Sequence, residues 1–257
     1  MVSILFTHYN RPEELKKCLE GFRKLDVSNL IYIVSDDGSE LEYREQLLGL
    51  KVDKLIVSET NKGLTSNINR GLKECTTEYV LYCQEDYIPK LQLRERLPEI
   101  IQVLNTGVAD MVRLKANYSF PKLIDLTENI KLIPKFSWQN FYYNAFQYSD
   151  NPFITTRRFF EKFGYYLENT SGPYGENEYA IRIMKSKAKI AIVREHLFSD
   201  NKNAPSVIDS KKTNKGSRTL KKIGIHKFLR AVRLHLEYLF YNPKNRGLLT
   251  IKNQRGK

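Results

Sequence analysis

The chain has 257 residues, 41% of them hydrophobic and 12% aromatic. That is enough apolar surface for a real core, which excludes a disordered or low-complexity protein. Its net charge is +13, all of it local: residues 1–201 balance 27 Lys and Arg against 27 Asp and Glu, whereas residues 202–257 carry 15 against Asp209 and Glu237 alone.

Val2 to Phe6 is apolar for only five residues, too short for the core of a signal peptide. No window approaches the ~18 apolar residues of a spanning helix. Cys18, Cys75 and Cys83 lack metal-ligand spacing and read as small buried hydrophobes of a reducing compartment. A cytoplasmic protein is the expectation.

Val2-Ser3-Ile4-Leu5-Phe6 reads as a strand ending in the polar run Thr7 to Arg11. Pro12-Glu13-Glu14 opens a helix, because proline suits the first helical position and acids suit the positive end of the dipole. Leu15, Cys18, Leu19 and Phe22 recur at three- and four-residue spacing and give that helix one buried face. Leu30 to Val34 is a second buried strand, stopping at Ser35-Asp36-Asp37-Gly38-Ser39. Lys54 to Val57 is a third, followed by Ser58 to Gly63 and a helix from about Leu64 to Cys75. Tyr79 to Cys83 is a fourth, breaking abruptly into Gln84-Glu85-Asp86. Alternating helices and near-continuous apolar strands predict an α/β fold with a mostly parallel, doubly covered sheet. In such a sheet all four polar clusters crowd the carboxyl edge, where open α/β sheets bind ligands. Two adjacent acids there suit a divalent cation, which can in turn hold a diphosphate.

Beyond Asp86, Leu91 to Leu104 reads as a helix interrupted by Pro98, and Ala109 to Leu114 as a strand. The stretch from Phe136 to Phe163 is dense in aromatics, mostly core, with Trp138 and Tyr142 as candidates for stacking on a ligand ring. Gly172 to Arg182 opens a helix with Glu176, Asn177 and Glu178 in its first turns, and Lys189 to Val193 is a last strand, followed by Arg194-Glu195-His196. From Asn201 to Arg218 the composition is that of a flexible basic linker. In the following helix, Leu220 to Tyr241, residues Ile225, Phe228, Leu229, Val232, Leu236, Leu239 and Phe240 form one apolar stripe. A basic amphipathic helix of this kind lies on an anionic membrane surface, pairs with a partner or packs back on its domain. No DNA-binding motif is present, and no nucleic acid is expected as a partner.

The pieces Val2 to Arg11, Ile33 to Ser39, Asn61-Lys62-Gly63 with Asn67, and Gln84-Glu85-Asp86 together resemble a family 2 glycosyltransferase of the GT-A fold. The resemblance implies residues 1–201 as the catalytic domain, with 1–90 holding the nucleotide and 91–201 the acceptor, and residues 202–257 as the basic extension. It implies that Thr7, Tyr9, Asn10 and Asp36 hold the nucleoside, and that Lys62 and Asn67 lie near the phosphates, with a solvated surface role the alternative for Lys62. The family's Asp-x-Asp motif falls on Gln84-Glu85-Asp86: Asp86 takes the position of the metal ligand for Mn²⁺ or Mg²⁺, Gln84 replaces the first aspartate, and Glu85 lies beside the donor. The family's Gly-Glu-Asp segment, source of the catalytic base, falls on Gly175-Glu176-Asn177. Asn177 cannot act as a base, which leaves Glu176 or Glu178 to do so. His196 stands where a histidine completes the metal site.

The implied activity is inverting, metal-assisted transfer from a nucleotide sugar, most simply a UDP-sugar, to a glycan or lipid-linked acceptor in surface polysaccharide assembly, on the inner face of the membrane. Two rivals stay open. A nucleotidyltransferase would want a basic, Gly-rich loop after the first strand, and Thr7-His8-Tyr9-Asn10 is not one. An inactive glycan-binding or scaffold subunit is suggested by Gln84 and Asn177.

Overall fold

The structure, a computed structural model, describes residues 1–201 and 220–254. In chain order it runs β1 (Val2–His8), α1 (Pro12–Lys24), β2 (Leu30–Asp36), α2 (Leu41–Leu48), β3 (Lys54–Val57), α3 (Leu64–Glu74), β4 (Tyr79–Gln84), β5 (Tyr87–Pro89), α4 (Gln92–Asn105) and β6 (Met111–Arg113). It continues through β7 (Ile124–Asp125), β8 (Ile130–Leu132), a single 3-10 turn (Asn144–Phe146), β9 (Phe153–Thr156), α5 (Arg157–Phe163), α6 (Gly172–Lys185), β10 (Ile190–Val193), β11 (Phe198–Asp200) and α7 (Leu220–Phe240).

Every residue of β1 is buried, and the two-residue period of a strand sends Ile4 and Phe6 to one face and Leu5 to the other. One face packs on α1 and α4 through Leu15, Cys18, Phe22, Leu97 and Ile100. The other packs on α3 and α6 through Ile68, Leu72, Tyr179 and Ile183. The sheet order is β3-β2-β1-β4-β9-β6-β10-β8-β7. Strands β1 to β4 pair in parallel, with His8 opposite Asp36 and Thr7 opposite Gln84, so the polar residues after them share one edge.

The expected parallel run is interrupted by β9, which lies antiparallel to both β4 and β6. Because it opposes both neighbours, β4 and β6 still point the same way. Pro98 does not break its helix: α4 is continuous over Gln92–Asn105. A proline inside a helix costs about 3 kcal/mol, and the burial of Leu93, Leu97, Ile100, Val103 and Leu104 along one face outweighs it. A two-stranded pairing of β5 with β11 brings Asp200 opposite Tyr87, next to Asp86.

The linker expected over 201–218 falls, from residue 202 on, outside the described residues. Helix α7 packs on α6 and the 3-10 turn, and Leu234 and the following Tyr241 are buried with Ala145, Ile181 and Met184. The chain after it folds back. The buried Glu237 carboxylate accepts hydrogen bonds from the Leu249 and Thr250 amides at 2.7 and 2.5 Å. Among the described residues, no helix is long and apolar enough to cross a membrane.

Candidate active site

At the carboxyl edge of the parallel strands lies a cavity of about 760 Å³, whose lining includes Thr7, Tyr9, Arg11, Asp37, Asn67, Gln84, Glu85, Asp86, Pro173 and Asp200. The loop after β1 is set from beneath by His8 and Asp36. His8 Nε2 accepts the Arg11 amide at 3.0 Å, so the ring proton sits on Nδ1 and is donated to Asp36 Oδ1 at 2.8 Å. Burial opposes ionisation of Asp36, but hydrogen bonds from His8 and Ser39 prevail and hold its carboxyl below the usual aspartate range. Asp36 is fully buried, and the acid that reaches the cavity is its neighbour Asp37. The Asp37 carboxylate accepts the Lys62 and Gly63 amides at 3.0 and 2.7 Å. Gly63 has φ +92°, a conformation that a side chain would strain. Asn10 is also in the left-handed region, at φ 54°, and its amide braces Glu40. Asn67 is buried at the cavity wall, donating to the Ser35 carbonyl at 2.9 Å.

Glu85 and Asp86 stand together at the end of β4, each 3.6 Å from the Arg11 guanidinium. Burial, then the Asp86 charge, pushes Glu85 up to about 8. Burial also raises Asp86, with Arg11 opposing and Asp200 and Asp150 adding to the rise. Asp86 Oδ1 is buried and has no hydrogen-bond partner. An orphaned carboxylate oxygen costs free energy unless something cationic meets it. Asp86 therefore fits a divalent cation that takes its other ligands from a diphosphate and water, as such ions do. Among the described residues no group of three or more His, Cys, Asp or Glu is placed to hold a metal by itself.

A second cavity, of about 190 Å³, is lined among others by Asn117, Tyr118, Asp150, Glu176, Asn177 and Arg230. Helix α6 carries Glu176 there because Gly175 lets it approach α3: a Cβ at Gly175 would sit 2.4 Å from Thr65 Cγ2 and 2.6 Å from Thr170 Oγ1. Burial, then the charge of Asp150 and a hydrogen bond to its side chain, raises the Glu176 carboxyl well above the usual glutamate range. The two cavities adjoin through Gln84, which lines the first and donates from Nε2 to the Asp150 carbonyl at 3.1 Å.

Other expected residues lie elsewhere. Glu178 is fully buried on the far side of α6, paired with Arg182 at 3.1 Å and Arg246 at 3.2 Å and accepting from Tyr241. Saturated with donors, it is an anchor for the C-terminal segment. His196 lines a separate cavity of about 410 Å³ with Lys131 and Arg194, whereas Asp200 lines the larger cavity with Asp86. The Lys62 side chain is exposed outside the larger cavity. Trp138 and Tyr142 are exposed and lie outside both cavities, in an aromatic cluster beside α7. Residues that sequence reasoning missed are Asp37, Arg11, Asp150, Asp200 and Arg230. Of these only Asp37 and Arg11 had a signal, as members of the quoted motifs.

The sequence model of Glycosyl transferase family 2 matches residues 3–164. A relative described as an uncharacterized glycosyltransferase, from Haemophilus influenzae, is 30% identical over 120 residues, which cover 44% of this chain and 40% of that one. The structure resembles S. aureus TarS 1-349 in complex with UDP-GlcNAc, with TM-score 0.62, 14% identity, and coverage of 95% of this chain and 77% of that one. It also resembles the mannosyltransferase PcManGT from Pyrobaculum calidifontis in complex with GDP-Man and Mn²⁺, with TM-score 0.53, 13% identity, and coverage of 76% and 56%. The chain thus spans less than half the length of the curated relative it matches. At these identities the solved structures establish the fold, a mixed α/β sheet of the GT-A kind.

Proposed function

The chain belongs to glycosyl transferase family 2, and from that premise we propose that it moves a sugar from a nucleoside-diphosphate sugar to a hydroxyl of a glycan or lipid-linked acceptor. The observation that carries this reading is the junction of the two cavities. A donor-sized space at the strand ends meets, through Gln84 and Asp150, a smaller one lined by two carboxylates, Asp150 and Glu176, of which Glu176 is the proposed base.

Tyr9 offers a ring to the base, and Asn67 and Asp37 fix the walls around the ribose and diphosphate. Asp86 would hold a divalent cation with the diphosphate, where the ion would neutralise charge on the departing group. Glu176 loses its resting proton to solvent and, once ionised, takes one from the acceptor hydroxyl as that oxygen attacks the anomeric carbon. The new C–O bond forms as the bond from the anomeric carbon to the phosphate oxygen breaks, and nucleoside diphosphate leaves. A single displacement inverts the anomeric centre. A UDP-sugar is the proposed donor, supported by the UDP-GlcNAc bound to TarS. Surface-glycan assembly on the inner face of a membrane is the proposed setting.

A thermal-shift screen of UDP-, GDP- and dTDP-sugars with Mn²⁺ tests donor binding. A ligand at 100 times its Kd adds about 2.7 kcal/mol of stability, an easily measured rise in Tm. No rise with any nucleotide sugar would remove the reading.

A further inference from the structure

Helix α7 is apolar on two opposite sides, and only one of them is used. Leu234 and Tyr241 pack on α6 and Ala231 is buried on the same side, whereas Ile225, Phe228, Leu229, Leu236, Leu239 and Phe240 are exposed. Helical spacing puts the two sets on opposite sides. The exposed stripe does not end at the helix. Phe141 lies 6.1 Å from Phe228 and 4.7 Å from His235, and Phe141 stacks with Trp138 at 6.5 Å and meets Tyr142 at 5.6 Å. Trp138 is 79% exposed. Two segments far apart in sequence thus form one apolar and aromatic surface.

We infer that this joint surface, loop 136–142 together with the outer face of α7, docks on an anionic lipid bilayer. The inference rests on the reading of the chain as a transferase with a lipid-linked acceptor, and it names the partner. Charge chooses the occupant. Along α7 the acid is Glu237, and it is buried and engaged by Leu249 and Thr250. Arg233 stands exposed at the edge of the stripe, and the sequence from residue 202 on carries 15 Lys and Arg against two acids. A second copy would bring cations to cations, since a two-fold interface must be self-complementary. Anionic headgroups complement them, each Lys or Arg near such a surface adding favourably. Tryptophan and tyrosine beside a leucine and phenylalanine stripe match the boundary between headgroups and acyl chains. On the inner side of the same helix, Arg230 lines the Glu176 cavity and donates to the Tyr118 hydroxyl at 3.1 Å. Docking would therefore hold the acceptor side of the site against the bilayer.

Trp138 is the single tryptophan of the chain, so its fluorescence reports on this surface without any substitution. Vesicles of 70% phosphatidylcholine and 30% phosphatidylglycerol, added to the full chain at low salt, should blue-shift the emission and sediment the protein. Pure phosphatidylcholine vesicles should do neither, and ~0.5 M salt should release the bound chain. Phe228→Glu with Leu229→Glu should abolish sedimentation but keep the nucleotide-induced rise in Tm. Arg233→Gln should weaken partitioning about fivefold, the roughly 1 kcal/mol of one cation near an anionic surface. An unshifted emission on phosphatidylglycerol vesicles overturns the inference. So does a concentration-dependent dimer that buries Trp138 without lipid. Because donor binding is read separately in Tm, loss of lipid binding is distinguishable from loss of the transferase reading.

Discussion

The Gln84 side-chain amide donates to the Asp150 carbonyl oxygen at 3.1 Å, and Asp150 in turn meets Glu176. The last residue of β4, on the donor side, is thereby tied to the neighbour of the proposed base. The amide makes a contact that an aspartate could not, since a carboxylate cannot donate to a carbonyl. Gln84→Asp should therefore lower turnover, with the donor-induced rise in Tm retained. Unchanged turnover would make the contact incidental.

Replacing Asp86 tests the cation. Asp86→Ala should abolish the part of the donor's thermal stabilisation that depends on Mn²⁺. It should leave the protein without ligand at least as stable, because the residue removed is a part-buried acid with an unsatisfied oxygen. Persistence of the Mn²⁺-dependent shift would take Asp86 out of the site.

The two glutamates of α6 should fail differently. Glu176→Gln should bind donor normally and lose turnover by roughly the 10²–10⁴-fold range of general-base catalysis. Glu178→Gln should act on stability, by about 3 kcal/mol, because Arg182 and Arg246 lose a buried partner. Denaturant melts beside kinetics separate them.

Much of this was legible in the sequence. The strands ending at Phe6, Val34, Val57 and Cys83 are apolar runs with abrupt polar stops, and the structure brings those stops to one edge. Asp36 and Asp37 could not be told apart, because successive residues point to opposite sides and the buried partner, His8, comes from a different strand. Asp200 was hidden because a three-residue strand such as β11 has no periodicity to detect. Trp138 and Tyr142 were read as sugar platforms on aromatic chemistry alone, and only the packing of loop 136–142 along α7 places them at the surface.

The pH profile should carry the signature of Glu176. Burial and Asp150 raise its pKa, so the resting carboxyl is protonated over a wider range than an ordinary glutamate. A base must be ionised, so kcat/KM should rise with pH through a midpoint above the usual carboxylate range. Asp150→Asn removes a neighbouring negative charge and should move that midpoint down. Unmoved, the midpoint would belong to another group.

Gly175 tests how α6 is positioned. In Gly175→Ala the new methyl would meet Thr65 Cγ2 at 2.4 Å, so α6 must shift away from α3. Overpacking of this kind costs about 1–3 kcal/mol, seen as a lower Tm, and turnover should fall with it. Gly175→Ala with Thr65→Ser should recover part of both. No recovery would mean that Thr65 is not the obstacle.

The most direct measurement is nucleoside diphosphate release from UDP-, GDP- and dTDP-sugars by the intact chain in Mn²⁺, with Glu176→Gln beside it. Release from UDP-sugars, cut 10²–10⁴-fold in Glu176→Gln while that variant still binds donor, is the expected result. Full release by Glu176→Gln, or no binding and no release with any nucleotide sugar, would contradict the assignment of these cavities to donor and base.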